Sequence, residues 1–139
     1  MRATSFLALT PLALLAACAA QTEQAPKLTD RQAADLDKSL AGKVAGEKKS
    51  CIDRFPASSL RAISNEVLLY EASRKLVYVN NVIGSCSGLT AGNTLVIRSF
   101  GSQYCRGDFI QVVDLQSGIT HGSCVLGDFT PYRTPDAGK

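Results

Sequence analysis

The sequence predicts a mainly β protein: a small antiparallel barrel or sandwich of five to six strands, with a short N-terminal helix and two disulfide staples. Three observations carry this expectation. From residue 51 onward, short segments rich in Val, Leu, Ile and Tyr alternate with glycine turns, and no helical periodicity is interleaved with them. Cys51, Cys86, Cys105 and Cys124 make an even set within the same stretch. The first residues read as an export signal, and exported thiols in even number pair into disulfides.

That signal opens with Arg2, runs through Phe6 to Leu9 and Leu12 to Leu15, and closes on the small residues Ala16 and Ala17. It has the form of a secretory signal peptide covering residues 1–17. The apolar run is shorter than the roughly 20 residues of a bilayer-spanning helix, and Pro11 breaks it. Leu15, Ala16, Ala17 and Cys18 look like the lipobox of bacterial lipoproteins, which makes Cys18 the expected lipidation site. Two or more acyl chains there give stable membrane anchoring where a single chain does not. Ala19 rather than Asp follows Cys18, and the resemblance to sorted lipoproteins then favours the outer membrane, with the domain facing the periplasm.

Removing the first 17 of 139 residues leaves 122 and, with Arg2 gone, lowers the net charge from +3 to +2. That length suits one domain. Basic and acidic residues are interspersed along the chain, so no cationic stripe marks it for nucleic acid.

Residues 18–50 read as a lipidated polar tether with one helical piece. Thr29 and Gln32 have capping-box spacing, and Ala33, Leu36, Leu40 and Val44 recur at helical intervals, predicting a helix over about 30–41. Its thin apolar stripe suits a helix that caps the domain or stays solvated. The β domain is expected over 51–132. Leu60 to Ser64 makes a first strand, and Asn65 turns it. Val67 to Tyr70 and Leu76 to Val79 make a hairpin across Ser73 and Arg74. Thr94 to Phe100 is a strand with Leu95 and Ile97 on one face and Val96, Arg98 and Phe100 on the other. Phe109 to Leu115 and Ile119 to Leu126 form a second hairpin about Ser117 and Gly118, a register that sets Cys124 opposite Gln111. After Phe129 the chain reads as irregular, with residues 133–139 a tail.

Two disulfides suit a core of this size, where burial alone is often marginal. Pairing Cys51 with Cys86 and Cys105 with Cys124 closes loops worth about 3 to 4 kcal/mol each in the chain-entropy model. The nested alternative gives a similar total. The sequential pairing is preferred because each bond then staples one hairpin region.

Candidate chemistry is sparse. Gly84, Ser85, Cys86, Ser87 and Gly88 outline a nucleophile elbow, but the glycine-rich loop leads into a strand and His121 is the single histidine. Zinc would want a C-x-x-C pair or more histidines. Asp53, Asp108, Asp114 and Asp128 make a carboxylate pair only if the fold gathers two of them, and Asp108 and Asp128 suit backbone N–H groups beside Gly107 and Gly127. Arg106, Gly107 and Asp108 read as a turn. No catalytic residue, cofactor or metal is therefore expected.

The chain resembles an uncharacterised family of small exported proteins and lipoproteins of Gram-negative bacteria. The resemblance rests on Cys51-Ile52-Asp53, Cys86-Ser87-Gly88-Leu89, Tyr104 through Ile110, and Cys124 through Pro131, with Leu40-Ala41-Gly42 and Val44-Ala45-Gly46 before them. Family members often carry proline at the Ser87 position, where this chain departs. The resemblance implies envelope localisation and a compact stapled domain, and no activity. The expected function is a cell-envelope lipoprotein with a non-enzymatic binding or scaffolding domain. Its expected partners are the membrane, through Cys18, and an envelope protein. The competing readings are a small periplasmic hydrolase using His121, or an inhibitor of an envelope hydrolase presenting a loop at Gly101 to Asp108.

Overall fold

The computed structural model describes residues 25–55, 58–89 and 92–136. Among these residues one helix precedes ten strands: α1 (Asp30–Leu40), β1 (Val44–Ala45), β2 (Cys51–Asp53), β3 (Ser59–Ala62), β4 (Val67–Ser73), β5 (Leu76–Asn81), β6 (Thr94–Arg98), β7 (Gln103–Cys105), β8 (Phe109–Val113), β9 (Thr120–Val125) and β10 (Phe129–Arg133). They form a five-stranded sheet in the order β1-β10-β5-β4-β3, a three-stranded sheet β6-β8-β9 and a two-stranded ribbon β2-β7, every pair antiparallel. No sheet closes on itself, so the architecture is sandwich-like.

All six expected strands are present, and four more join them. β10 corrects the irregular tail. Pro131 cannot donate to a ladder and argues against a strand, but its ring nitrogen faces the side of the two-residue β1. On that side Phe129 exchanges hydrogen bonds with Lys49, and the Pro131 carbonyl accepts from the Gly46 N–H at 2.8 Å. The five residues Phe129 to Arg133 pair along β5, and the Thr134 N–H donates to the Lys75 carbonyl. The same bonds move the start of the folded unit ahead of residue 51, because Val44, Ala45 and Lys49 all pair with β10.

α1 is nucleated by the capping box its sequence announces. The Thr29 hydroxyl accepts the Gln32 N–H at 3.4 Å, and Gln32 Oε1 accepts the Thr29 N–H at 3.0 Å. Leu28, Leu36 and Leu40 then pack on one face of the five-stranded sheet, against Ile63, Val67, Leu69, Val77 and Val79. Arg61 of β3 locks the helix down. Its guanidinium bonds Asp35 at 2.8 Å, Ser39 at 2.6 Å and Glu71 at 3.2 Å. The hydrogen bond from Arg61 holds the Asp35 carboxyl below the ordinary carboxylate range, and the same contact raises Arg61.

The opposite face of this sheet meets the three-stranded sheet over the main core of Ile52, Leu68, Tyr70, Tyr78, Ile110, Val112, Leu126 and Phe129. Tyr104, Tyr70, Tyr78 and Phe129 form a chain of ring contacts with centroids 5.8 to 6.4 Å apart. Buried Tyr70 also satisfies its hydroxyl, which donates to the Asp53 carbonyl at 3.1 Å and accepts the Phe55 N–H at 2.8 Å. Asn80, fully buried, joins the two sheets at the β9–β10 corner. It accepts the Gly127 N–H at 3.1 Å and donates to the Gly127 carbonyl at 2.8 Å. This leaves Gly127 no room for a side chain, since an added Cβ would stand 2.0 Å from the Asn81 carbonyl oxygen.

The disulfides join Cys51 to Cys105 and Cys86 to Cys124, which corrects both the sequential and the nested expectation. Cys51 and Cys105 lie directly opposite each other in the β2-β7 ribbon, a strand pairing too short to be seen in sequence. The hairpin turns closer to β8 than expected, pairing Val113 with Thr120, and a bulge at Val112/Val113 then sets Cys124 opposite inward Ile110; without the bulge it would lie opposite outward Phe109, since a one-residue slip changes the face. Cys86 reaches it from a loop whose backbone crosses β9 at Gly122. There an added Cβ would meet the Ser87 oxygen at 2.8 Å.

Candidate functional site

Alternation along β6, β8 and β9 splits the three-stranded sheet into two faces. Leu95, Ile97, Ile110, Val112 and Cys124 point into the core. The register places Thr94, Val113 and Thr120 in one outward row, Val96, Gln111 and Ser123 in the next, and Arg98, Phe109 and Val125 in the third. Ile83 extends the third row by its bridge to Val125. No described element covers this face: Val96 is 39% exposed, Phe109 40% and Ile83 50%, whereas Val67 and Leu69 under α1 are 1% or less. Phe100, two residues past Arg98, is fully exposed. Arg98 is the only charged side chain in these rows, and among the described residues it has no ion-pair or hydrogen-bond partner. The arrangement can bury apolar surface and pair one anionic group.

The residues singled out for chemistry are held apart. Cys86, at the centre of the elbow-like sequence, is spent in its disulfide and has no free thiol. His121 is exposed on β9 beside Gly88, and among the described residues it bonds no Asp, Ser or Cys. Asp53 accepts from the Gln103 amide at 2.9 Å, and Asp108 from the Cys105 N–H at 2.9 Å. Asp128 bonds the Arg106 guanidinium at 2.5 Å, and not a backbone amide as its neighbouring glycine suggested. Asp114 caps its own turn, and the Gln116 N–H, assisted by Ser117, holds its carboxyl below the ordinary range. Each carboxylate is thus used locally. Among the described residues no group of three or more His, Cys, Asp or Glu is placed to hold a metal ion.

Gly101 to Asp108 is not a free loop. Its middle is β7, tied to β2 by pairing and by the Cys51–Cys105 bond, and Arg54 ties its start to its middle. Its guanidinium donates to the Gly101 carbonyl and stacks 5.4 Å from the Tyr104 ring centre. Arg106, Gly107 and Asp108 form the turn that follows, closed by the Asp108 N–H to the Cys105 carbonyl. A concavity of about 860 Å³ lies between α1 and the β3 end of its sheet, walled by Arg31, Gln32, Asp35 and Lys38 over Ala62 and Ile63. Asp35 in that wall is already engaged by Arg61. Cys18 lies outside the described residues.

Fold and site together define a small disulfide-stapled β-sandwich domain with one bare sheet face. The chain belongs to a family of unknown function, DUF6491, whose match covers residues 1–133. No curated protein and no solved structure matches it.

The bare face was read only in part from the sequence, and the Asn80–Gly127 joint was missed. The joint had one signal, an Asn at the end of an otherwise apolar strand. The face had another, the unbroken Leu95-Val96-Ile97, which alternation alone assigns half to solvent.

Proposed function

We propose that this protein is a non-enzymatic cell-envelope lipoprotein whose β domain binds another envelope protein through the outer face of β6, β8 and β9. The observation that carries the reading is the exposure of Val96, Phe109 and Ile83 on the outer face of a sheet whose other face packs on the core. A face of this kind gains free energy when a partner covers it, at about 25 cal/mol per Å² of apolar area removed from water. Lipidation of Cys18, suggested by the lipobox-like sequence, would hold the domain at the outer membrane, facing the periplasm. Among the described residues the hydrolase reading has no hydrogen-bonded base and nucleophile in its support, and the loop that the inhibitor reading needs, Gly101 to Asp108, is tied down as β7.

The test uses the full chain carrying Cys18→Ser, which should pass from the membrane to the soluble fraction. Retention in the membrane would remove the anchor from the proposal. With that protein as bait in envelope extracts, the Val96→Thr/Phe109→Thr variant should lose a captured protein while keeping its melting temperature. Capture unchanged by the double substitution would move the binding function off this face.

A further inference from the structure

We infer that the free edge of β6 takes up an extended, acidic-apolar segment of the partner protein as a fourth strand of the three-stranded sheet, with Arg98 pairing a carboxylate of that segment. This rests on the binding reading above and names the chemistry of its partner.

Hydrogen-bond directions show which backbone groups are open. Val125 exchanges bonds with Ile83 on the side away from β8, at 2.8 and 3.2 Å, and Leu126 bonds Asp108 and Gly107 on the side toward it. Residues alternate along an antiparallel ladder, so Cys124 also faces β8, and Ile110 opposite it faces β9. Phe109 and Gln111 consequently face β6, and their partners Arg98 and Val96 face back. Leu95 and Ile97, between them, point their N–H and C=O groups away from the sheet, where no described strand meets them.

This edge differs from the other edge of the same sheet. The far side of β9 is met by Ile83, which bridges Val125. β6 has no proline, lysine or bulge of the kind that blocks strand addition. Leu95 and Ile97 pack their side chains on the core, which holds the strand in place for pairing.

Charge selects the occupant. The nine outward positions of the sheet contain Arg98 and no carboxylate, so a strand laid beside β6 is favoured when it carries an acidic residue near Arg98 and apolar residues near Val96 and Phe100. A second copy of this chain fits less well, because Thr94-Leu95-Val96-Ile97-Arg98 offers no acid to its own arginine.

The probes are a blocked octapeptide of alternating Val and Thr with one central Glu, its Lys counterpart, and two forms of the Glu peptide N-methylated at odd or at even backbone nitrogens. Binding to the full chain carrying Cys18→Ser is followed by amide shifts in NMR titration. The Glu peptide should shift the Leu95 and Ile97 amides and bind at least tenfold tighter than the Lys peptide. Arg98→Glu should reverse that order. One N-methylated form should lose binding and the other keep it, since only one set of amides faces β6. Equal binding of the Glu and Lys peptides, equal loss in both N-methylated forms, shifts confined to other strands, or no binding at millimolar peptide would each overturn strand addition. Partner capture that survives Arg98→Glu but fails in Val96→Thr/Phe109→Thr would leave the binding face standing without it. Peptide binding in the expected order, with capture indifferent to the outer-face substitutions, would overturn the face and keep the edge.

Discussion

The five-stranded sheet buries both of its faces and the three-stranded sheet only one, although their strands are similarly apolar. Val67-Leu68-Leu69-Tyr70 in β4 is buried at every position because α1 covers the side that the main core does not. Leu95-Val96-Ile97 in β6 is as continuous a run, yet Val96 has nothing over it among the described residues. A continuous apolar strand is the mark of a sheet buried on both sides. The first sheet obtains its second cover from its own chain, while the second is left open to one from outside.

The comparison can be tested by breaking what joins the two sheets and then each face in turn. The largest loss is expected from Cys86→Ala/Cys124→Ala, which unties the loop after β5 from β9. The chain-entropy model gives about 4 kcal/mol for a bond spanning 38 residues, read as a lower urea midpoint. Gly127→Ala, which pushes a methyl group into the Asn81 carbonyl at the corner between the sheets, should cost about 3 kcal/mol by the same measurement. Leu69→Ala, under the helix, should cost about 2 to 3 kcal/mol. Val96→Thr on the bare face should stay within about 0.5 kcal/mol of wild type. Equal costs for these last two would mean that the outer face is covered after all.

The cover itself should respond to acid. The carboxyl of Asp35 titrates below its unfolded value of about 4 because Arg61 bonds its charged form. Its contribution to docking α1 is therefore complete above that unfolded value and is lost as the pH falls through the lower, folded one. Amide exchange in residues 30–40 should accelerate over that interval, ahead of exchange in β8. Asp35→Asn should flatten the dependence, and an unchanged profile would show that Arg61 does not hold the helix through this contact.

Features set by neighbouring residues were legible in the sequence. Thr29 and Gln32 announced the helix start, Arg74 falls in the turn of the β4-β5 hairpin, and the alternation of Leu95 and Ile97 gave the inner face of β6. Features set by distant partners were not. β2 and β7 are three residues each and become strands by pairing with one another, which is also what pairs their cysteines. β10 was hidden by Pro131, whose missing donor matters only once the side it faces is known. The bulge that turns Cys124 inward leaves no mark in composition. The candidate face was partly visible, as the outward positions Val96, Arg98 and Phe100. That it stays uncovered depends on where α1 docks.

The two disulfides interleave, since Cys86 lies inside the span from Cys51 to Cys105, and Cys105 lies inside the span from Cys86 to Cys124. Any single proteolytic cut between Cys51 and Cys124 therefore leaves one covalent molecule, because every peptide bond in that interval lies within at least one closed loop. With the cysteines paired in sequential order, a cut between Cys86 and Cys105 would release two halves. A nicked copy of this domain would run as intact until reduced, whereas a cut ahead of Cys51 breaks the only covalent route to Cys18.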